Sequence, residues 1–206
     1  MEKDKRTEDR IFEVATEVFL EKGMDGTTMQ DIADRAGINK SLLNYYFRSK
    51  ERLFNAVFEL LAGKMMEKLA PVLDESLSLE DKLQFFFNEH ISFLQKNPRL
   101  PFFLLNEINR NPERLRVFLR GLDVEKLFKV LYSRGYPGAK MKNLTRETTI
   151  QLITTIISMS IFPFVSKGVF DVLFEKFGMS FTEYIEVRKQ FAANFVITSL
   201  DNMKLK

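Results

Sequence analysis

Residues 28–47 read TMQDIADRAGINKSLLNYYF, and the order of caps, small apolar residues and glycine in this stretch decides the predicted fold. Thr28 lies three residues before Asp31, so its side chain can cap a new helix while Asp31 caps in return. Gly37 ends that short helix, because glycine adopts the left-handed conformation at low cost. Asn39 can then cap another helix. The stretch therefore predicts two short helices joined by a tight turn.

The sequence on either side of this stretch continues the helical pattern. Apolar residues recur at helical spacing over residues 9–22, and Gly23 ends this first helix. Ser49 can cap a fourth helix that runs until Pro71. In the helix before Ser49, either Leu42 or Leu43 is available for the core. The four helices predict a helix-turn-helix domain at the beginning of the chain.

The remainder of the chain is also predicted to be helical, because no alternating segment is long enough to require a strand. We predict an all-α chain with a helix-turn-helix domain over 1–50, its motif at about 28–47, and a larger helical domain over 51–206. The longest predicted loop is 135–143. Prolines and glycines divide the larger domain into predicted helices over 79–96, 100–110, 113–134, 146–163 or a little beyond, and 181–204.

The outer face of the second short helix carries groups that suit a DNA major groove. Lys40, Ser41, Asn44 and Tyr45 can project away from the core, where short polar or basic groups reach phosphate oxygens and base edges. The helix-turn-helix pattern alone is weak evidence, since any helical bundle contains short helices joined by glycine. The pattern and these side chains together favour DNA binding.

Residues 9–61 as a whole resemble the N-terminal domain of the TetR family of bacterial regulators. This segment is about a quarter of the chain, and the rest agrees with the family in length and helical class. The residues that carry the resemblance, at the spacing that the family uses, are Ala15, Phe19, Gly23, Thr28, Ile32, Ala33, Ala36, Gly37, Ile38, Leu43, Tyr45, Tyr46, Phe47, Ser49, Lys50, Glu51 and Leu53.

The resemblance implies a set of DNA-binding residues. Lys40, Ser41 and Leu42 would approach the bases, while Tyr46 and Lys50 would hold phosphates. Lys50 lies beside the start of the fourth helix, where free N–H groups already favour an anion. The predicted DNA-binding residues are Thr28, Asn39, Lys40, Ser41, Leu42, Asn44, Tyr45, Tyr46 and Lys50.

Asn44 departs from the family pattern, in which many members have Tyr. At this position a base contact, such as Asn to adenine, is an alternative to the phosphate contact that the resemblance implies. Thr28 would begin the supporting helix at the DNA backbone, although as an alternative it is only a helix cap. Tyr45 and Tyr46 could likewise be ordinary half-buried aromatic residues.

The larger domain is rich in phenylalanine, with 21 in the chain and no tryptophan. Consecutive ones such as 85–87 cannot all face one core, because successive helical residues diverge by about 100°. A thick aromatic core is one explanation, and the resemblance implies another, a pocket for a small apolar or aromatic effector. Asn106, Asn109 and His90 are further candidate polar anchors, and for His90 the favoured alternative is a helix surface or a core hydrogen bond. The predicted pocket residues are Phe86, Phe93, Phe103, Glu107, Phe118 and Phe162.

The last two long helices, around 150–162 and 181–200, are the predicted homodimer interface, and the resemblance implies that they form a four-helix contact. Burial within one chain is the alternative. Such a dimer would present its recognition helices to major grooves about 34 to 36 Å apart and bind a roughly palindromic double-stranded operator. The residues of the last helix with suitable spacing are Phe191, Phe195, Val196 and Leu200.

Composition argues against most enzymes. The chain has one histidine and no cysteine, which excludes the usual zinc clusters and Cys-His pairs, and it has no glycine-rich phosphate loop. We therefore predict no catalytic site, no metal and no cofactor. An acid-base enzyme that uses only Asp and Glu, and a helical adaptor that binds other proteins, are the alternative functions.

Charge and hydropathy favour a cytoplasmic protein with a local basic region. The net charge of +3 does not distinguish a nucleic-acid-binding protein from other soluble proteins. Residues 40–52, however, contain four basic residues and one acidic residue, Glu51. The charged start of the sequence lacks the features of a secretory signal. Residues 148–166 carry no charge, yet they include Gln151 and Pro163 and lack the flanks of a membrane span. We predict a buried helix there.

Overall fold

The computed structural model of the chain describes residues 2–68, 74, 76–119 and 145–202. These residues form α-helices joined by short connections, and no strand occurs among them. We label the helices in chain order: α1 Glu2–Lys22, α2 Met29–Ala36, α3 Lys40–Phe47, α4 Lys50–Glu67, α5 Leu79–Lys96, α6 Leu100–Arg110, α7 Glu113–Leu119, α8 Arg146–Val165, α9 Lys167–Phe177 and α10 Phe181–Asn202.

Most helix boundaries agree with the sequence prediction. The bounds of α5 and α6 are those predicted, and α8 continues two residues beyond Pro163. Helix α9 was not predicted. A single residue, Ser166, separates it from the end of α8, and the side chain of Ser166 makes no capping hydrogen bond. Residues 120–134 of the predicted seventh helix and the predicted loop 135–143 lie outside the described residues.

The chain forms two compact units. The first comprises 1–64 with 102–118, and the second comprises 65–101 with 119–206. The unit that contains α1, α2 and α3 is therefore larger than the predicted domain 1–50. It also includes most of α4, most of α6 and the described part of α7 except its last residue.

The first unit has a core of small and aromatic residues. The predicted apolar face of α1 is buried, and the Phe19 ring meets the Phe54 ring of α4 edge-on at 4.9 Å between centroids. Leu43 is the α3 residue that is fully buried, whereas Leu42 is partly exposed, which decides between the two predicted alternatives. The other buried residues of α1, α2 and α4 in this unit include Ile11, Ala15, Val18, Ile32, Ala33, Ala36, Leu53, Val57, Phe58 and Leu61.

The second unit is built around α5, which packs against α10 and α8. Val196 and Leu200 of α10 are buried in this core. Their predicted place in a dimer interface is therefore wrong, because this face of α10 packs within its own chain. The core residues are Leu83, Phe86, Phe87, Ile91, Leu94, Leu152, Phe164, Ile185, Ala192, Ala193, Val196 and Leu200.

Helix α8 has apolar residues on more than one side. Leu152 and Phe164 are buried in the core, whereas Ile150, Ile157 and Phe162 are exposed. Within the described residues, 147–165 is one helix that is long and apolar enough to cross a membrane by length and composition, with a mean hydropathy of 1.6. One side of this helix packs into the core, but only 33% of the apolar window is buried, so the prediction of a buried helix holds for that side alone.

His90 lies inside the second unit and is 1% exposed. Its ring stacks on Phe86 at 4.9 Å between centroids. Neither ring nitrogen has a hydrogen-bond partner among the residues described. Burial disfavours the charged imidazolium and lowers the pKa of His90 from 6.5 to about 4.

We expect His90 to make the chain less stable in acid. The unfolded chain binds a proton at His90 below pH 6.5, whereas the folded chain does so only near pH 4. Protonation therefore favours the unfolded chain between these two values. The free energy of unfolding is unaffected by His90 above pH 6.5 and decreases as the pH falls towards 4. The full loss is roughly 3 kcal/mol. His90→Leu should unfold in urea with a smaller decrease in unfolding free energy between pH 7.5 and pH 5 than the wild type.

His90 is the only histidine of the chain, and the substitution leaves every carboxylate in place. The difference in pH dependence between the two proteins therefore reports the imidazole. At pH 7.5 the variant should be about 1 kcal/mol more stable, because a buried polar group without a partner is removed. An equal pH dependence of the two proteins would contradict the assignment.

Candidate nucleic-acid interface

Helix α2 begins at the predicted capping box. The Asp31 N–H donates to Thr28 Oγ1 at 3.0 Å, and the Thr28 N–H donates to Asp31 Oδ2 at 2.8 Å. The Lys22 ammonium also donates to Asp31, at 2.7 Å. Hydrogen bonds from Lys22 and Thr28 hold the pKa of Asp31 below its usual range. The first turn of α2 is therefore fixed to the end of α1.

The turn between α2 and α3 follows the prediction in detail. Gly37 has a φ of 68°, the left-handed conformation that closes a helix, and its N–H donates to Asp34 O at 3.2 Å. Asn39 caps α3, since its Oδ1 accepts from the Leu42 N–H at 2.7 Å. The Asn39 side-chain oxygen thus has a structural task in addition to the predicted DNA contact.

Helix α3 presents a polar face to solvent. Lys40, Ser41, Asn44 and Tyr45 are exposed, and Tyr45 is 78% exposed. Leu43 lies on the buried side. Successive exposed positions differ by one or three residues, and two pairs are four residues apart, which places them on one side of the helix. The predicted projection of these side chains away from the core is confirmed, and their contact with bases stays a prediction.

Two tyrosines end the exposed part of α3. The rings of Tyr45 and Tyr46 meet edge-on at 5.4 Å between centroids, and Tyr46 is partly buried. Arg48, which follows the helix, is exposed and has a φ of 54°, an unusual value for a residue with a side chain. Sequence reasoning did not select Arg48 as a site residue, although it belongs to the basic region 40–52.

Lys50 is directed towards the turn that joins α1 and α2. Its Nζ donates to Met24 O and to Thr27 O, each at 2.9 Å. An ammonium has three N–H donors, so these carbonyls use two of them. Lys50 therefore fixes the turn just before Thr28, and its phosphate contact stays a prediction.

The predicted pocket residues fall in different parts of the fold. In the first unit, Phe103 packs against Phe54 and Phe58, with centroids 5.7 and 6.3 Å apart, and Glu107 is buried and paired with Arg114. The Glu107 carboxylate is thus already engaged within its own unit. Sequence reasoning did not select Arg114, because no local pattern shows that Arg114 and Glu107 pair.

The other predicted pocket residues belong to the second unit or cannot be placed. Phe86 is buried, and Phe93 is partly buried against the core. Phe162 is 58% exposed, because its side of α8 faces away from the core. A side chain with this exposure does not line an enclosed pocket within its unit. The side chain of Phe118 lies outside the described residues. Within either unit, these residues therefore do not form one enclosed lining.

No group of three or more His, Cys, Asp or Glu in the described part of the chain could hold a metal ion. Among the described residues, several predicted site residues meet on one strongly polar, exposed surface, which is formed by α3 and the residues beside it in the first unit. We therefore treat this surface as the candidate site.

Comparison with known proteins agrees with this assignment. Residues 11–57 match the N-terminal model of bacterial regulatory proteins of the tetR family. The chain is 33% identical over 79 residues to the biofilm operon negative transcriptional regulator IcaR of Staphylococcus epidermidis, which covers 38% of this chain and 43% of that one. It is 25% identical over 107 residues to the fatty acid metabolism regulator protein of Bacillus subtilis, covering 52% of this chain and 55% of that one.

These sequence matches span about half the length of the relatives, but the similarity of fold to solved structures covers nearly the whole chain. The crystal structure of the TetR family transcriptional regulator PfmR from Thermus thermophilus superposes with a TM-score of 0.62 over 95% of this chain and 100% of that one, at 22% identity. Residues 11–57 therefore match the N-terminal, DNA-binding domain of the tetR family of bacterial regulatory proteins, and the chain shares its fold with a solved regulator of that family.

Proposed function

We propose that this protein is a ligand-responsive transcriptional repressor that binds a palindromic DNA operator as a homodimer. The observation that carries the proposal is the exposed polar face of α3, held by a capped helix-turn-helix in the family's DNA-binding domain. IcaR, one of the relatives, is named as a negative regulator, which supports repression. We assign no catalytic role, metal or cofactor to the chain, and we place its action in the cytoplasm.

The DNA contacts that we propose divide by chemistry. Lys40, Ser41 and Leu42 at the start of α3 approach the bases, and Asn44 reads one base, because an amide can donate to and accept from adenine. Tyr45 lies beside them. The remaining members of the set, Thr28, Asn39, Tyr46 and Lys50, lie at helix ends or near the turns, where they contact or orient phosphates.

The dimer interface that we propose consists of the exposed apolar residues of α8 and α10. Phe191 and Phe195 are 54% and 50% exposed, and their rings stack at 6.1 Å between centroids. Exposed apolar residues on α8 include Ile157 and Phe162. Burial of such side chains in a second copy removes their area from water, which is the usual source of association energy.

We propose that the effector is a small apolar or aromatic molecule bound in the second unit. His90 supports this proposal, because it supplies a buried imidazole without a hydrogen-bond partner in the part that the structure describes. The name of the Bacillus subtilis relative refers to fatty acid metabolism, so acyl chains are the first probes to test. An effector acts through its different affinities for two conformations of the regulator.

DNA binding is tested by selecting duplexes from a randomised library and measuring Kd by fluorescence anisotropy at several salt concentrations. We expect specific binding that weakens with salt, because phosphate contacts release counterions. Lys40→Ala and Tyr45→Ala should each raise Kd by roughly ten-fold without a change in Tm, since both side chains are exposed. Lys176→Ala, an exposed lysine of α9, is the matched control and should leave Kd unchanged.

Lys50→Ala should behave differently from Lys40→Ala, because Lys50 holds two backbone carbonyls. We expect a loss of DNA affinity together with a loss of about 2 kcal/mol of unfolding free energy. Urea unfolding and anisotropy measure the two effects separately. A Lys50→Ala protein with wild-type stability would show that the bonds to Met24 and Thr27 contribute nothing.

Sedimentation velocity tests the dimer. Phe191→Glu and Phe195→Glu should each convert a wild-type dimer into a folded monomer, because a charge at an apolar interface is desolvated without a partner. Phe102→Glu, at a phenylalanine of α6 that is similarly exposed, is the matched control and should stay dimeric. A wild-type protein that sediments as a monomer at working concentration would exclude the proposed interface.

A further inference from the structure

A charged pair is buried in the first unit. Glu107 of α6 is 2% exposed, and its Oε2 pairs with the guanidinium of Arg114 of α7. Burial of two charges removes their hydration, so such a pair adds little stability compared with apolar residues of similar size. The pair therefore contributes mainly through the groups that it contacts and holds in place.

Both members of the pair contact the turn between α1 and α2, residues 23–27. Glu107 Oε1 accepts from the Met24 N–H at 3.5 Å, and Arg114 Nη2 lies 3.2 Å from Met24 Sδ. Arg110, also on α6, pairs with Asp25 of the same turn. Residues 102–118 thus hold one side of this turn.

The opposite side of Met24 is held by α4. The Lys50 ammonium binds Met24 O and Thr27 O. Met24 is therefore held at its N–H by Glu107 and at its carbonyl by Lys50. Four residues later, Thr28 caps α2. The position of α2, and of α3 after it, depends on where this turn lies.

Arg114 also has a fixed orientation. Its guanidinium lies over the Phe54 ring of α4 at 4.4 Å from the centroid and over Phe58 at 5.8 Å. A guanidinium over an aromatic face is attracted by the negative charge density of the ring. Glu107, Met24 and Phe54 therefore contact three different sides of one cation, which leaves it little freedom to move.

We propose that Glu107 and Arg114 are positioning residues for DNA binding. They fix the turn 23–27, and through it the orientation of α2 and α3. This inference rests on the proposed function, because it concerns the same surface of α3.

The test compares stability with affinity in one double variant. Glu107→Leu/Arg114→Met replaces the pair by apolar side chains, so the protein should keep a Tm close to that of the wild type. It lacks the contacts to Met24, and its Kd for the duplex selected by the wild type should rise about ten-fold. Neither residue touches DNA, so the slope of log Kd against log salt should not change.

Leu94→Ala is the control for a loss of stability alone. Leu94 is fully buried in the second unit, so its truncation should lower the Tm and leave Kd unchanged. Arg114→Lys keeps the charge and loses the planar contacts to Phe54 and Met24. It covers the case in which the double variant does not fold, and its Kd should rise about three-fold.

The outcomes separate the two proposals. If the wild type selects no duplex, the proposed DNA-binding function fails. If the wild type binds and each folded variant of the pair binds with the wild-type Kd, the positioning role is overturned. A higher Kd together with a shallower salt slope also overturns it, since that result indicates a direct phosphate contact.

Discussion

An α-helix of eight residues is not stable by itself in water, and both helices of the helix-turn-helix have this length. Their geometry therefore depends on caps and on one shared core. Thr28 with Asp31 satisfies backbone donors at the start of α2, and Asn39 does so for α3. Leu43 provides the burial that holds α3 against the rest of the unit. Every exposed group on α3 is placed by these few interactions.

The parts of the fold that could be predicted are those in which the cause is local in sequence. A cap and the amide that it binds are three residues apart, so the starts of α2 and α3 were visible as patterns. Helix α9 shows the reverse case, because it begins at Ser166 without a side-chain cap. A periodic pattern predicts that a residue is helical, but it does not show which of two apolar sides meets the core.

Contacts distant in sequence could not be predicted. Lys50 and Met24 are 26 residues apart, and Glu107 and Met24 are 83 apart, so no spacing rule relates them. The resemblance implied that Lys50 binds a DNA phosphate and that Glu107 belongs to an effector pocket. Both side chains bind groups of the protein itself, because a charged group that is removed from water requires a partner. For the same reason, composition could not separate core phenylalanines such as Phe87 from exposed ones such as Phe162.

Some basic residues of the first unit form ion pairs within the protein, and others are exposed to solvent. Lys22 pairs with Asp31 and Arg35 pairs with Glu21, so these cations orient helices. Lys40 and Arg48, by contrast, are exposed at the two ends of α3. A count of basic residues therefore overstates the charge available to a phosphate backbone. The salt dependence of binding reports the smaller number, because only cations that displace counterions contribute to it.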